Sequence, residues 1–184
     1  MSKKNMIMPP VVLACVCAVC CGLLAFANSI TKDKIAAAEA QAVQDSLSGL
    51  PDAGTFEEIT DFTAPEMEKV QANALYADEN NMAAVLVTAD GYNKGGLQVA
   101  VGIDSEGKVT GVSFVSVTET PGLGTKVQSN PELLVDDLIG MSSAEEVDSA
   151  DGITGATFSS KGTYRAVTLA LDAYNEMEGV TVSE

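Results

Sequence analysis

The sequence contains no histidine and no tryptophan, and only four tyrosines and five phenylalanines among 184 residues. Without histidine the commonest general base and the commonest transition-metal ligand are both missing, so hydrolytic triads and zinc sites lose their usual parts. Cysteine is confined to Cys15, Cys17, Cys20 and Cys21. Nothing after them can enter a disulfide framework. On a helix these four point to different sides rather than converging, so they read as small apolar packing residues and not as an iron–sulfur or metal set. Basic charge is scarce as well. From Ile35 onward lie 25 of the 26 acidic residues (all but Asp33) but only six of the ten basic ones (all but Lys3, Lys4, Lys32 and Lys34). Such a surface repels nucleic acid and anionic lipid headgroups, which excludes nucleic-acid binding. The chemistry is therefore expected to arrive with a cofactor, and no metal site is expected.

A long apolar run is what the sequence does have. Residues 5–31 carry no charged side chain, and Met8 to Ala27 would span about 30 Å as a helix, the thickness of a hydrocarbon core. Lys3 and Lys4 precede it, so the excess of positive charge keeps the N-terminus in the cytoplasm and sends the rest outside, an assignment that Lys32 and Lys34 weaken. A cleaved signal peptide is the alternative, since Ala25–Phe26–Ala27 has the small-x-small form; a lipoprotein site at Val12 to Cys15 is another. All three place the following domain outside the cytoplasm. The expected organisation is a tail and transmembrane helix over 1–31, an alanine-rich helical stalk over 32–53 that ends at the Pro51 and glycine cluster, and an extracytoplasmic domain over 54–184.

In that domain the apolar segments ALYAD, MAAVLVTAD, GLQVAVGID and KVTGVSFVSV, the last three carrying two or more valines each, are separated by the short turn clusters ENN, GYNKGG and SEG. Short connections require antiparallel pairing, so a meander over about residues 70–117 is predicted. NPELLVDDLIG reads as a short helix with Asn130 as cap and Pro131 at its first position; a second is capped by Ser142 or Ser143. In the last segment Tyr164, Val167, Leu171 and Tyr174 fall at helical spacing and would cover one sheet face. Strands followed by helices make an α+β domain: an antiparallel sheet with flanking helices, preceded by one N-terminal transmembrane helix.

Two loops stand out. DGITGATFSS, residues 151–160, ends where the last helix begins. A helix N-terminus carries unpaired N–H groups and a partial positive charge, and Gly155 and Ala156 leave the backbone uncovered just before Thr157, so a phosphate fits there. The same residues also suit a tight turn in which Thr157, Ser159 or Ser160 is only a cap. The second loop, TETPGLGTKV, is too rich in glycine and proline to continue a strand. By itself it reads equally as a long turn or as a slot for a flat ring.

Together the two loops resemble the FMN-binding domain family, which includes the G subunit of the Rnf electron-transport complex and the C subunit of the sodium-translocating NADH:quinone reductase. DGITGATFSS is similar to the family's flavinylation motif, and the resemblance implies that a dedicated flavin transferase moves FMN from FAD onto Thr157, leaving a phosphoester. Asp151, Thr154, Gly155 and Ala156 match the upstream part of the motif, and Ser159 and Ser160 its downstream hydroxyls. TETPGLGTKV is similar to the family's ETPGLG loop, implied to lie against the flavin: Gly122, Leu123 and Gly124 would line the ring, Glu119 and Thr120 would bond its polar edge, and Lys126 would sit near its phosphate or ring unless it is a plain surface lysine. The membrane span, NSITKDKI and the GYNKGGLQVAVGID hairpin resemble the Rnf protein, the nearer of the two because the chain is short for the quinone-reductase one. The implied protein is a membrane-anchored flavoprotein relaying electrons among the other membrane subunits of an Rnf-type ferredoxin:NAD oxidoreductase. An exported FMN-binding protein of extracellular electron transfer and an unmodified surface binding module are the alternatives.

Overall fold

The computed structural model describes residues 3–51, 54–60, 62–79 and 81–181, and the chain divides into two units, Met1–Gln41 and Ala42–Glu184. Parts of two expected turns, residues 52, 53 and 80, lie outside the described residues.

The first unit is helical over its described residues, 3–41. It belongs to α1 (Lys3–Ser48), which is the one helix among the described residues long and apolar enough to cross a membrane. Leu13, Leu23, Leu24 and Phe26 are all exposed on it, an arrangement that suits hydrocarbon and not water. The helix is uninterrupted at residue 31, and its last residues, from Ala42, count with the second unit.

The second unit is an α+β domain built on a five-stranded antiparallel sheet in the order β1 (Glu57–Glu58), β2 (Val70–Ala77), β3 (Ala83–Ala89), β4 (Leu97–Ile103), β5 (Val109–Val117). The predicted meander is therefore present, with β1 added at one edge by Glu57 and Glu58 pairing with Ala77 and Tyr76. Register explains why β3 reads as an unbroken apolar run. Ala83, Val85, Val87 and Ala89 point into the main core, while Ala84 enters a second cluster on the opposite face.

Helix α5 (Thr157–Thr181) covers the main-core face, burying Tyr164, Val167, Leu171 and Tyr174 as their spacing predicted. On the other face Leu47 and Leu50, from the end of α1 and the turn after it, pack with Ala84 and Ala100. Each leucine contributes roughly 1.5–3 kcal/mol by burial. Their close approach depends on Gly102 and Gly111, paired across β4 and β5: a Cβ on Gly111 would lie 2.8 Å from Pro51 Cδ, and one on Gly102 3.3 Å from Leu50.

Three short helices, α2 (Lys126–Ser129), α3 (Glu132–Leu138) and α4 (Ala144–Asp148), connect β5 to α5. Helix α4 has the expected cap: Ser143 accepts from Glu146 N, and Glu146 Oε2 accepts in return from Ser142 N at 2.7 Å. Helix α3 differs from expectation. Asn130 closes α2 instead of capping α3, and Pro131 takes the cap position without a side-chain bond, because the chain passes from one helix to the next with no extended residue between them for a capping side chain.

Candidate functional site

Three loops meet at the N-terminus of α5: residues 90–96 between β3 and β4, residues 118–125 after β5, and residues 150–156 before the helix. The last of these is the motif loop, and its shape follows from local bonds. Gly155 has φ +82°, a left-handed conformation that an L side chain strains to adopt, and Ala156 N donates to Ile153 O to close the turn. Ser160 Oγ, fully buried one turn into the helix, accepts from Ile153 N at 3.0 Å. Tyr164 Oη donates to Asp151 O at 2.7 Å, and Lys126 Nζ donates to Thr154 O at 3.3 Å. The loop is thus anchored from α2 and α5, while Thr157, the first residue of α5, is exposed and its hydroxyl makes no hydrogen bond to the described residues.

Burial, with the charges of Asp137 and Asp151 adding to it, pushes the Tyr164 phenol up from 10.0 to about 12. An unfolded chain would ionise this tyrosine near pH 10 and the folded one near pH 12. The neutral form is favoured by folding, so its contribution to stability is complete below pH 10 and is lost as the pH rises through about 12. Urea unfolding of the wild type should show a larger fall in midpoint across that window than Tyr164→Phe does. An equal fall in both chains would remove the assignment.

Glu119 holds the other two loops to the helix. It is only 5 % exposed, and its carboxylate accepts from Tyr92 N at 3.2 Å, Asn93 N at 3.1 Å and Ser159 Oγ at 3.0 Å. Gly91, Gly96 and Gly124 make room for it: a Cβ on Gly91 or Gly124 would lie 2.5 Å from a carboxylate oxygen, and one on Gly96 closer still. The carboxylate is therefore committed to backbone and hydroxyl donors behind the site wall, where the ETPGLG resemblance implied a group facing a ring.

The wall encloses a cleft of about 350 Å³, within the range of small-ligand sites, lined on one side by Thr120, Leu123 and Gly124 and on the other by Gly155, Ala156, Thr157 and Ser159. Both expected loops thus contribute to a single cavity. Gly122, Glu119, Lys126, Asp151, Thr154 and Ser160 lie off its wall, and Asp151 offers the fold its carbonyl while its side chain stays exposed.

Two lining residues were not anticipated, Tyr92 and Phe158. Their rings meet edge to face with centroids 6.1 Å apart, yet they are 72 % and 66 % exposed. Large aromatics left in water at the mouth of a cleft are the usual lining of a site for a flat apolar ligand. The only sequence signal for them was that the chain has so few aromatics to place.

Comparison with known proteins agrees with this geometry. Residues 91–172, which contain every wall residue of the cleft, match the FMN-binding domain model, and residues 1–50 match the RnfG N-terminal region. Relatives described as G subunits of ion-translocating oxidoreductase complexes include one from Shewanella baltica, 30 % identical with 94 % of this chain and 91 % of the relative aligned. One from Shewanella piezotolerans is 29 % identical over 95 % and 92 %, and one from Vibrio parahaemolyticus 26 % over 89 % and 86 %. With both ends of the chain matched and a relative at 30 % identity aligned over nearly its whole length, the chain belongs to the family of G subunits of ion-translocating oxidoreductase complexes and carries that family's FMN-binding domain.

Proposed function

We propose that the protein is a membrane-anchored electron-carrying subunit of an Rnf-type complex, holding FMN through a phosphoester to Thr157 in an extracytoplasmic domain. The observation that carries this reading is the position of one hydroxyl. Thr157 is exposed, without a side-chain hydrogen bond to the described residues, and on the wall of a ring-sized cleft, while its neighbours Ser159 and Ser160 are buried and engaged. A threonine serving as a helix cap would accept from an N–H of the first turn, and Thr157 makes no such bond among the described residues, while Ser160 Oγ accepts from Ile153 N in the loop.

The residues present suit the cofactor. Tyr92, Leu123 and Phe158 offer apolar surface to a planar ring, and Thr120 one hydroxyl to its edge. Gly124 and Gly155 keep backbone bare beside them, and Lys126 stands next to Gly155, with its ammonium 3.2 Å from where a Cβ would be. When bound, FMN supplies electron transfer one electron at a time, which the side chains of this cleft do not. Attachment forms a Thr157 Oγ1–phosphorus bond as the pyrophosphate linkage of FAD breaks; AMP leaves, and the hydroxyl proton passes to the flavin transferase or to water. The bond keeps the cofactor on a domain facing away from the cytoplasmic flavin pool. Lys3 and Lys4 ahead of the span favour this orientation, and the acidic surface disfavours the anionic reduced flavin.

The test is intact mass followed by peptide mapping. Coproduced with an active flavin transferase, the full chain should gain the mass of one FMN less water, located on the peptide containing Thr157. An unmodified mass under those conditions would leave the unmodified binding module as the reading. Copurification with membrane subunits separates the complex from the free-standing exported flavoprotein.

A further inference from the structure

A second cavity lies on the other side of Thr157. It measures about 430 Å³, and its wall includes Thr157, Ser160, Lys161 and Arg165, with Gly152 and Asp148 opposite. Thr157 is the residue shared with the aromatic cleft, so it stands between that cleft and a space lined by Lys161, Arg165 and Asp148.

The two cations in this second space form no ion pair among the described residues. The basic residues from Ile35 onward are Lys69, Lys94, Lys108, Lys126, Lys161 and Arg165. Lys69 and Lys108 pair with the adjacent Glu68 and Glu106. Neither Lys161 nor Arg165 has a carboxylate within 4.0 Å among the described residues, although 25 acids share the exported chain with them. Arg165 Nη2 donates to Asp90 O at 2.5 Å, while its Nε is buried with no hydrogen-bond partner. An acid-rich chain that sets two cations on one cavity without an ion pair to either among the described residues leaves their charge available to an outside anion. Their spacing, i and i+4 on the first turns of α5, directs both toward the same cavity that Thr157 borders.

We propose that Lys161 and Arg165 form a phosphate subsite for the flavin nucleotide, receiving its phosphate while the aromatic cleft receives its ring. This rests on the flavin reading of the cleft but not on the covalent bond: the same subsite would hold the phosphate of a noncovalently bound FMN. It selects a phosphorylated flavin over riboflavin.

The experiment uses the full chain in detergent, prepared without the transferase, and follows the quenching of flavin fluorescence by FMN and by riboflavin. FMN should bind roughly tenfold tighter than riboflavin or better, a difference of about 1.4 kcal/mol. Lys161→Gln with Arg165→Gln should bring FMN down to the riboflavin value and leave riboflavin binding unchanged. Lys161→Gln alone, which spares the Arg165 bond to Asp90, should remove part of the preference in a chain of wild-type stability. Equal binding of the two flavins, no binding of either, or a preference that survives the double variant would overturn the subsite. The two readings fail separately. A chain flavinylated on Thr157 but without the preference retains the tether and loses the subsite; a chain with the preference that gains no mass from the transferase loses the tether and retains the subsite.

Discussion

Thr157→Ala, coproduced with a flavin transferase, should give a denaturing-gel band that is dark under ultraviolet light where the wild-type band fluoresces. Thr157→Ser should recover the fluorescence, because the acceptor is an oxygen and the methyl group is incidental to it. The loss is expected to be complete, and it should come without a loss of fold. Thr157 is exposed and its hydroxyl bonds to none of the described residues, so the unfolding free energy should move by no more than about 0.5 kcal/mol, as for other surface changes. A fluorescent Thr157→Ala band would place the attachment elsewhere, with Thr154 and the buried Ser159 and Ser160 as the remaining hydroxyls of the loop.

Glu119→Ala acts in the opposite sense, on the fold first. It removes the acceptor of two backbone N–H groups and of Ser159 Oγ, and leaves a space bordered by Gly91, Gly96 and Gly124. Leaving buried donors unmade costs about 1–3 kcal/mol each, and water entering from the largely exposed loop 90–96 would recover some of it, so a net loss of about 2–3 kcal/mol is expected. Glu119→Gln keeps one acceptor oxygen but turns an N–H donor toward another donor, and should fall between. Chemical denaturation of the two variants measures this. A Glu119→Ala chain as stable as wild type would show that the carboxylate is incidental to the assembly of the three loops.

The parts of this molecule that could be read in advance are those set by repetition or by forced backbone geometry. Four apolar, strand-forming segments with turns of a few residues between them have antiparallel pairing as their one simple solution, and β2 to β5 are so arranged. The apolar stripe of α5 is legible for the same reason, and Gly155 marks a left-handed position where the motif turns. Features that depend on distant partners were hidden. Tyr92 and Phe158 are 66 positions apart in sequence, and neither has a periodic neighbour to betray the shared wall. Glu119 could be taken for a solvent-facing acid until the three glycines around it are seen to come from the 90–96 loop and its own. The strand β1, two residues long, carries too little pattern to be seen at all.

The packing of Leu47 and Leu50 beneath the sheet sets a practical limit on where the chain can be cut. A fragment beginning between Lys32 and Gln41, after the apolar run, retains both leucines and with them the lining of the second small core. One beginning at Pro51 strips them away and bares Ala84, Ala100 and the paired glycines of β4 and β5 to water, a greasy stripe on which two such fragments would stick to one another. The final turns of the anchor helix are, in this sense, part of the cargo and not of the tether.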